Sequence, residues 1–216
     1  MTTAGAFGGL EARGLACAAG LRTLFSALDL RIAPGQWTML VGPNGSGKST
    51  LLRTIAGLAR PLAGEILWRA APRRVDDAEW RAQCVYQGHA PGWKDAFDVR
   101  ENLSMQLAID GLPASPGALD AAIERVGLAR QSRLPFARLS AGQRRRVSLA
   151  RLSCSHARKL WLLDEPGNGR DADALLLLGG LIDAHLREGG LALVATHQPL
   201  PCAATPTRLS LDDPRS

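Results

Sequence analysis

The chain has 216 residues, 46% hydrophobic and 21% charged, with a net charge of +6. That mixture excludes a disordered chain and is long enough for one large domain, or two small ones, around a real core. Four cysteines, Cys17, Cys84, Cys154 and Cys202, form no C-x-x-C pair, which argues against a zinc or redox motif and suits a reducing compartment.

The basic balance, with a sequence pI near 9.8, raises nucleic acid or an anionic membrane as partners. The arginines are scattered, however, and Arg144-Arg145-Arg146 is their longest run. Composition plus a phosphate ligand is therefore the preferred reading, and nucleic acid is not expected. The first twenty residues lack a basic start followed by an apolar run, so no signal peptide is expected. The longest apolar stretch, residues 174–182, is far short of the roughly 20 residues a spanning helix needs.

Residues 1–9 are small and glycine-rich, a frayed start. Residues 10–17 alternate loosely and residues 24–32 alternate better, with Leu28, Leu30 and Ile32 on one face; both predict strands. Pro34-Gly35 marks a turn, and residues 37–41 form a short apolar run that predicts a buried strand. Gly42-Pro43-Asn44-Gly45-Ser46-Gly47-Lys48-Ser49-Thr50 follows, and residues 42–49 fit the phosphate-loop pattern G-x-x-x-x-G-K-[S/T]. Glycines let the backbone approach an anion closely, and its N–H groups cradle phosphate oxygens. Lys48 adds a point charge near the β- and γ-phosphates, and Ser49 offers a hydroxyl to Mg²⁺. Residues 50–58 have helical apolar spacing, so strand, loop and helix come in the order a phosphate site needs.

Residues 60–65 predict a turn, 66–68 a strand, 69–81 a polar irregular stretch and 84–86 a short buried strand. Residues 87–137 change character. Prolines at 91, 113, 116 and 135 interrupt helical patterns at 99–109 and 119–126, which predicts a small helical insertion. Leu139-Ser140-Ala141-Gly142-Gln143 opens another helix, with Ser140 able to cap it. Residues 159–163 predict a strand ending in Asp164-Glu165-Pro166. Residues 172–186 predict an amphipathic helix stopped by Gly189-Gly190, and residues 191–196 a strand ending in His197. From Pro199 the chain reads as a tail, with some alternation at 208–211. The expected organisation is one domain over 10–205 and terminal tails at 1–9 and 206–216.

Apolar runs alternating with helices predict a mainly parallel sheet, in which ligand residues lie beyond the carboxyl ends of strands. Lys48, Asp164, Glu165 and His197 each follow such a run. Hydrolysis of ATP needs a carboxylate to help hold Mg²⁺ and a group to polarise water. Asp164 suits the first role, through Ser49 and water. Glu165 suits that of general base, with His197 at the γ-phosphate from the far side.

The segment 139–143 resembles the signature motif LSGGQ of ATP-binding-cassette (ABC) ATPases, with Ala141 in place of one glycine. Phosphate loop, signature, Asp-Glu strand and histidine stand in that family's order over residues 10–200. The resemblance implies a P-loop NTPase of RecA-like α/β fold, with an N-terminal antiparallel β subdomain and a small helical insertion. It also implies a head-to-tail pair of chains with two ATP molecules between them. Ser140, Gly142 and Gln143 of one copy then meet the nucleotide held by the other copy's loop. The family's usual glutamine before the insertion is replaced by His89, with Gln87 two residues earlier as a substitute metal-side sensor. Leucine is usual where Arg170 stands, and no aromatic near residues 17–23 offers adenine a stacking face, leaving Arg22 as a candidate.

Narrower segments are similar to the ATP-binding subunit of the bacterial cytochrome c maturation haem exporter. These are Leu10-Glu11-Ala12-Arg13, Arg22-Thr23-Leu24-Phe25, Gly88-His89 with Pro91-Gly92 and Lys94, residues 139–147, residues 160–166 and Thr196-His197-Gln198-Pro199-Leu200. That similarity implies a peripheral subunit on the cytoplasmic face of the inner membrane, docked on a CcmB-like integral membrane subunit. It would drive haem export or release of a haem chaperone. The open alternatives are an ABC exporter ATPase for another substrate and a soluble ABC ATPase acting on nucleic acid or ribosomes. Docking would fall on the insertion, where Trp93 and Phe97 are either apolar contact surface or core.

Overall fold

In the computed structural model, residues 7–88, 92–167 and 171–211 are described. Two sheets share the work. Strands β1 (Leu10–Ala19), β2 (Arg22–Ile32), β4 (Ala63–Trp68) and β5 (Ala71–Arg73) make an antiparallel sheet in the order β2-β1-β4-β5. Strands β3 (Trp37–Val41), β6 (Cys84–Gln87), β7 (Leu160–Asp164), β8 (Leu191–Ala195) and β9 (Thr207–Ser210) make a parallel sheet in the order β6-β7-β8-β3-β9.

Side chains of a strand point alternately to its two faces, and the parallel sheet uses both. Leu160, Leu162, Leu191 and Leu193 join one core with Leu51, Leu52 and Ile55 of helix α1 (Lys48–Ile55) and the inner face of the antiparallel sheet. Their neighbours Trp161, Leu163, Ala192 and Val194 join the other core. That second core is completed by helices α3 (Val99–Ile109), α4 (Pro116–Arg125), α5 (Ala141–Ser153) and α6 (Ala172–Arg187). Burial on both faces explains why β7 and β8 read as unbroken apolar runs.

Local chemistry starts the helices where the sequence suggests. Asp98 caps α3 in a capping box with Glu101, Ser115 caps α4 ahead of Pro116, and Asp171 caps α6.

Two expectations change. The stretch 69–81 is ordered: β5 returns along β4 through a two-residue turn in which Arg69 and Ala70 both have positive φ, at 53° and 63°. This geometry usually selects Asn-Gly, so Arg-Ala gave no turn signal. A short helix α2 (Ala78–Arg81) follows, capped by Asp77, and it buries Trp80, whose indole N–H donates to Ile55 O at 2.8 Å. The tail expected from 206 also contains structure. β9 pairs with β3 from Thr38↔Thr207 to Val41↔Ser210, and Leu211 is buried beyond it. An edge strand of four residues with three exposed side chains leaves little pattern to read. Among the described residues no helix is long and apolar enough to cross a membrane.

Candidate nucleotide-binding site

The phosphate loop leaves the end of β3 and enters α1 at Lys48. Gly42 and Gly47 are required where they stand. A Cβ on Gly42 (φ 150°) would sit 2.7 Å from Leu211 O and 2.8 Å from Ser46 Oγ. One on Gly47 (φ 105°) would press on the Phe25 ring at 3.0 Å. Gly47 is also the N-cap of α1 and supplies no side-chain hydrogen bond there, so the first N–H groups of the helix stay available to an anion. Lys48 is buried, and its Nζ donates to the carbonyls of Gly42 at 2.8 Å and Pro43 at 3.1 Å. The ammonium is thereby folded over the loop it would serve. Ser46 Oγ is buried beside it without a hydrogen-bond partner.

A cleft of about 250 Å³ runs along this loop, lined by Asn44, Gly45, Gly47, Lys48, Ser49 and Thr50 and closed by Asp164 and Glu165. Its far wall is Ala19 and Leu24. Arg22, the stacking candidate, is exposed at the start of β2 and does not line the cleft. Asp164 is buried at the end of β7, opposite Ala195 of β8. Glu165 takes φ 52°, a left-handed conformation that costs a side-chain-bearing residue about 1–3 kcal/mol unless its surroundings impose it. Two bonds impose it here: Glu165 N–H donates to Ala195 O at 2.9 Å, and its carboxylate lies 3.2 Å from His197 Nε2. Strand ends β7 and β8 thus bring the two candidate catalytic side chains together.

Gln87 ends β6, is buried, and keeps its Oε1 without a partner. It lines a neighbouring cavity of about 320 Å³ with Trp93, Phe136, Arg144, Arg145, Asp164 and Glu165. An orphaned amide oxygen, the Asp164 carboxylate and the Ser49 hydroxyl are the hard oxygen donors a magnesium ion takes alongside phosphate. Among the described residues no cluster of three or more His, Cys, Asp or Glu exists that could cage a metal alone. His89 and Arg170 lie outside the described residues.

Ser140, Gly142 and Gln143 do not line the phosphate cleft. They form the start of α5, where Ser140 Oγ accepts from Gln143 N–H at 3.2 Å and Gln143 Oε1 accepts from Ser140 N–H at 2.9 Å. Trp93 packs against the core beside Phe136, with ring centroids 5.8 Å apart, whereas Phe97 is exposed. Sequence reasoning missed the ties between these parts. Arg151 of α5 donates through Nε and Nη2 to the carboxylate of Asp110, both at 2.7 Å, and through Nη1 to Tyr86 O at 3.2 Å. Arg146 pairs with Asp171. Gln198 donates to Gly167 O at 2.6 Å. Each partner is far away in sequence, and no motif spacing marks such pairs.

A family model described as "ABC transporter" matches residues 25–168. The chain is 45% identical over 191 residues to the cytochrome c biogenesis ATP-binding export protein CcmA of Pseudomonas aeruginosa, covering 88% of this chain and 94% of that one. It is 44% identical over 204 residues to the CcmA of Aromatoleum aromaticum, covering 94% and 95%. Among solved structures, an ABC transporter ATP-binding protein from Pyrococcus furiosus superposes with a TM-score of 0.77 at 24% identity, covering 94% of this chain and 96% of that one.

Proposed function

The chain belongs to the ABC transporter family of ATP-binding proteins, and from that premise we propose that it is the ATP-hydrolysing subunit of an export complex in cytochrome c maturation. The observation that carries the reading is convergence. The phosphate loop, Asp164 and Glu165 share one cleft and His197 lies against the Glu165 carboxylate, while the signature helix opens elsewhere.

ATP enters with its phosphates on the loop. Lys48 exchanges the Gly42 and Pro43 carbonyls for phosphate oxygens, and the open N-terminus of α1 adds its dipole. Ser49, Asp164 and Gln87 would hold Mg²⁺, which neutralises charge on the transferring phosphoryl group when bound. Glu165 takes a proton from the attacking water, and His197 holds that carboxylate and faces the γ-phosphate. The remaining face of the nucleotide comes from Ser140, Gly142 and Gln143 of a second copy, packed head to tail. Turnover then depends on dimerisation, and ATPase rate should rise faster than linearly with enzyme concentration; a strictly linear dependence contradicts it.

Export requires a membrane partner. The insertion within residues 87–137 exposes the apolar side chains Phe97, Ile109 and Leu134, which suit contact with a CcmB-like integral membrane subunit on the cytoplasmic face of the inner membrane. Arg151 ties that insertion, through Asp110 at the end of α3, to the strand that carries Gln87, giving docking and nucleotide a shared element. Haem, or a haem chaperone, is the cargo this reading assigns to the complex. Co-purification from membranes with the intact chain, and its loss when residues 87–137 are deleted, is the expected result. Recovery of the intact chain wholly in the soluble fraction, with its partner present, contradicts docking.

A further inference from the structure

We propose that Gln198, beside the candidate catalytic histidine, is a positioning residue that locks the backbone following Glu165 in its reactive conformation. Glu165 sits in a left-handed backbone conformation, and such a conformation persists only where its surroundings over-determine it. The Ala195 carbonyl and His197 hold it from one side. Two residues further on, the Gly167 carbonyl accepts the Gln198 side-chain N–H at 2.6 Å, which makes the second hold.

Gln198 is itself rigidly mounted. Its backbone N–H donates to Thr196 Oγ1 at 3.2 Å, and that hydroxyl donates back to the Gln198 carbonyl at 3.0 Å. Thr196 is buried, and its N–H donates to Leu40 O of β3, the strand that feeds the phosphate loop. The seat at Gly167 is equally tight. A Cβ there would stand 2.9 Å from Leu175 Cδ2, 3.2 Å from Gln198 Nε2 and 3.4 Å from Leu200 Cδ2. His197 and Gln198 are consecutive, so one short turn holds the carboxylate with one side chain and the following backbone with the next.

Asp171 is held separately. Asp171 caps α6 by accepting from Ala174 N–H and pairs with Arg146 of α5 through contacts of 3.2 and 3.3 Å. Helix α5 begins at Ser140, the face assigned above to the partner's nucleotide. Gln198 thus holds the backbone just after the hydrolytic pair, and Arg146 holds the start of α6 against the signature helix. Loosening the Gln198 hold misplaces Glu165 without touching the phosphate loop. The cost therefore falls on turnover and not on ATP binding.

This inference rests on the reading of Glu165 and His197 as the hydrolytic pair. Its test uses the full chain in four forms: wild type, Glu165→Gln, Gln198→Met and Gln198→Glu. Methionine keeps the reach and removes the donor; glutamate keeps the shape and sets an acceptor against the Gly167 carbonyl. Both Gln198 variants should melt within about 3 °C of wild type, as expected for a half-exposed loop side chain. Both should lose about 10-fold or more in kcat, the glutamate variant more, with KM for ATP within about 2-fold. Wild-type kcat in Gln198→Met, or a loss expressed through KM, overturns the role of Gln198. Retained turnover in Glu165→Gln strikes the catalytic reading instead, and kcat of Gln198→Met still decides the positioning claim.

Discussion

Two helix N-termini in this chain are built to opposite specifications. Helix α1 starts at Gly47 with no side-chain cap, and α5 starts at Ser140 inside a complete capping box with Gln143. Neither carries an acidic residue in its first turn, whereas α3 and α6 carry Glu101 and Asp173 there. An acid in the first turn neutralises the helix dipole, so α1 and α5 both keep a positive end. What separates them is readiness. The α1 terminus is open to phosphate in a single chain, while α5 satisfies two of its own donors until something better displaces them. On the proposed function, half of the site is thus prepared in the monomer and half is held in reserve for contact with a second nucleotide.

Substitutions that break one terminus and spare the other sharpen the contrast. The largest effect is expected from Lys48→Ala, which should lower turnover by at least about 100-fold and abolish nucleotide-driven dimerisation, read by ATPase assay and light scattering. Ser140→Arg should leave ATP affinity of the monomer within about 2-fold by equilibrium binding, yet still block turnover, because its bulk lies only in the two-copy arrangement.

The asymmetry was partly legible. The strand and helix flanking residues 42–47 were legible because local spacing determines them, and Ser140 was identifiable as a cap from its place before a helical run. β5 and α2 were hidden because Arg69-Ala70 makes a left-handed turn without its usual residues. β9 was hidden because a short exposed edge strand has no hydrophobic pattern. The ties made by Gln198, Arg146 and Arg151 depend on which strands and helices become neighbours, and residue spacing carries no record of that. The Trp93 and Phe97 ambiguity was also tertiary. Both are aromatic, and only packing against Phe136 turns the first inward.

A further effect concerns stability, away from both termini. His185 stacks on Trp161 with centroids 4.1 Å apart and is buried, with Nε2 3.1 Å from the Leu191 carbonyl. Burial holds its pKa at about 4, below its ordinary 6.5. The unfolded chain therefore takes up this proton first. Stability present above pH 6.5 is lost as pH falls towards 4, by about 3 kcal/mol in all. Denaturant midpoints for wild type should fall across that window, and His185→Phe, which keeps a stacked ring and cannot titrate, should flatten that component of the slope.

The central claim, that each copy completes the other's site, is tested most directly by the solution mass of Glu165→Gln with and without ATP. Light scattering should report 23.0 kDa without nucleotide and twice that with ATP and Mg²⁺, and adding Lys48→Ala to the same chain should return it to the monomer. A mass that stays at 23.0 kDa with saturating ATP, at concentrations where the wild-type chain turns over, would contradict the account.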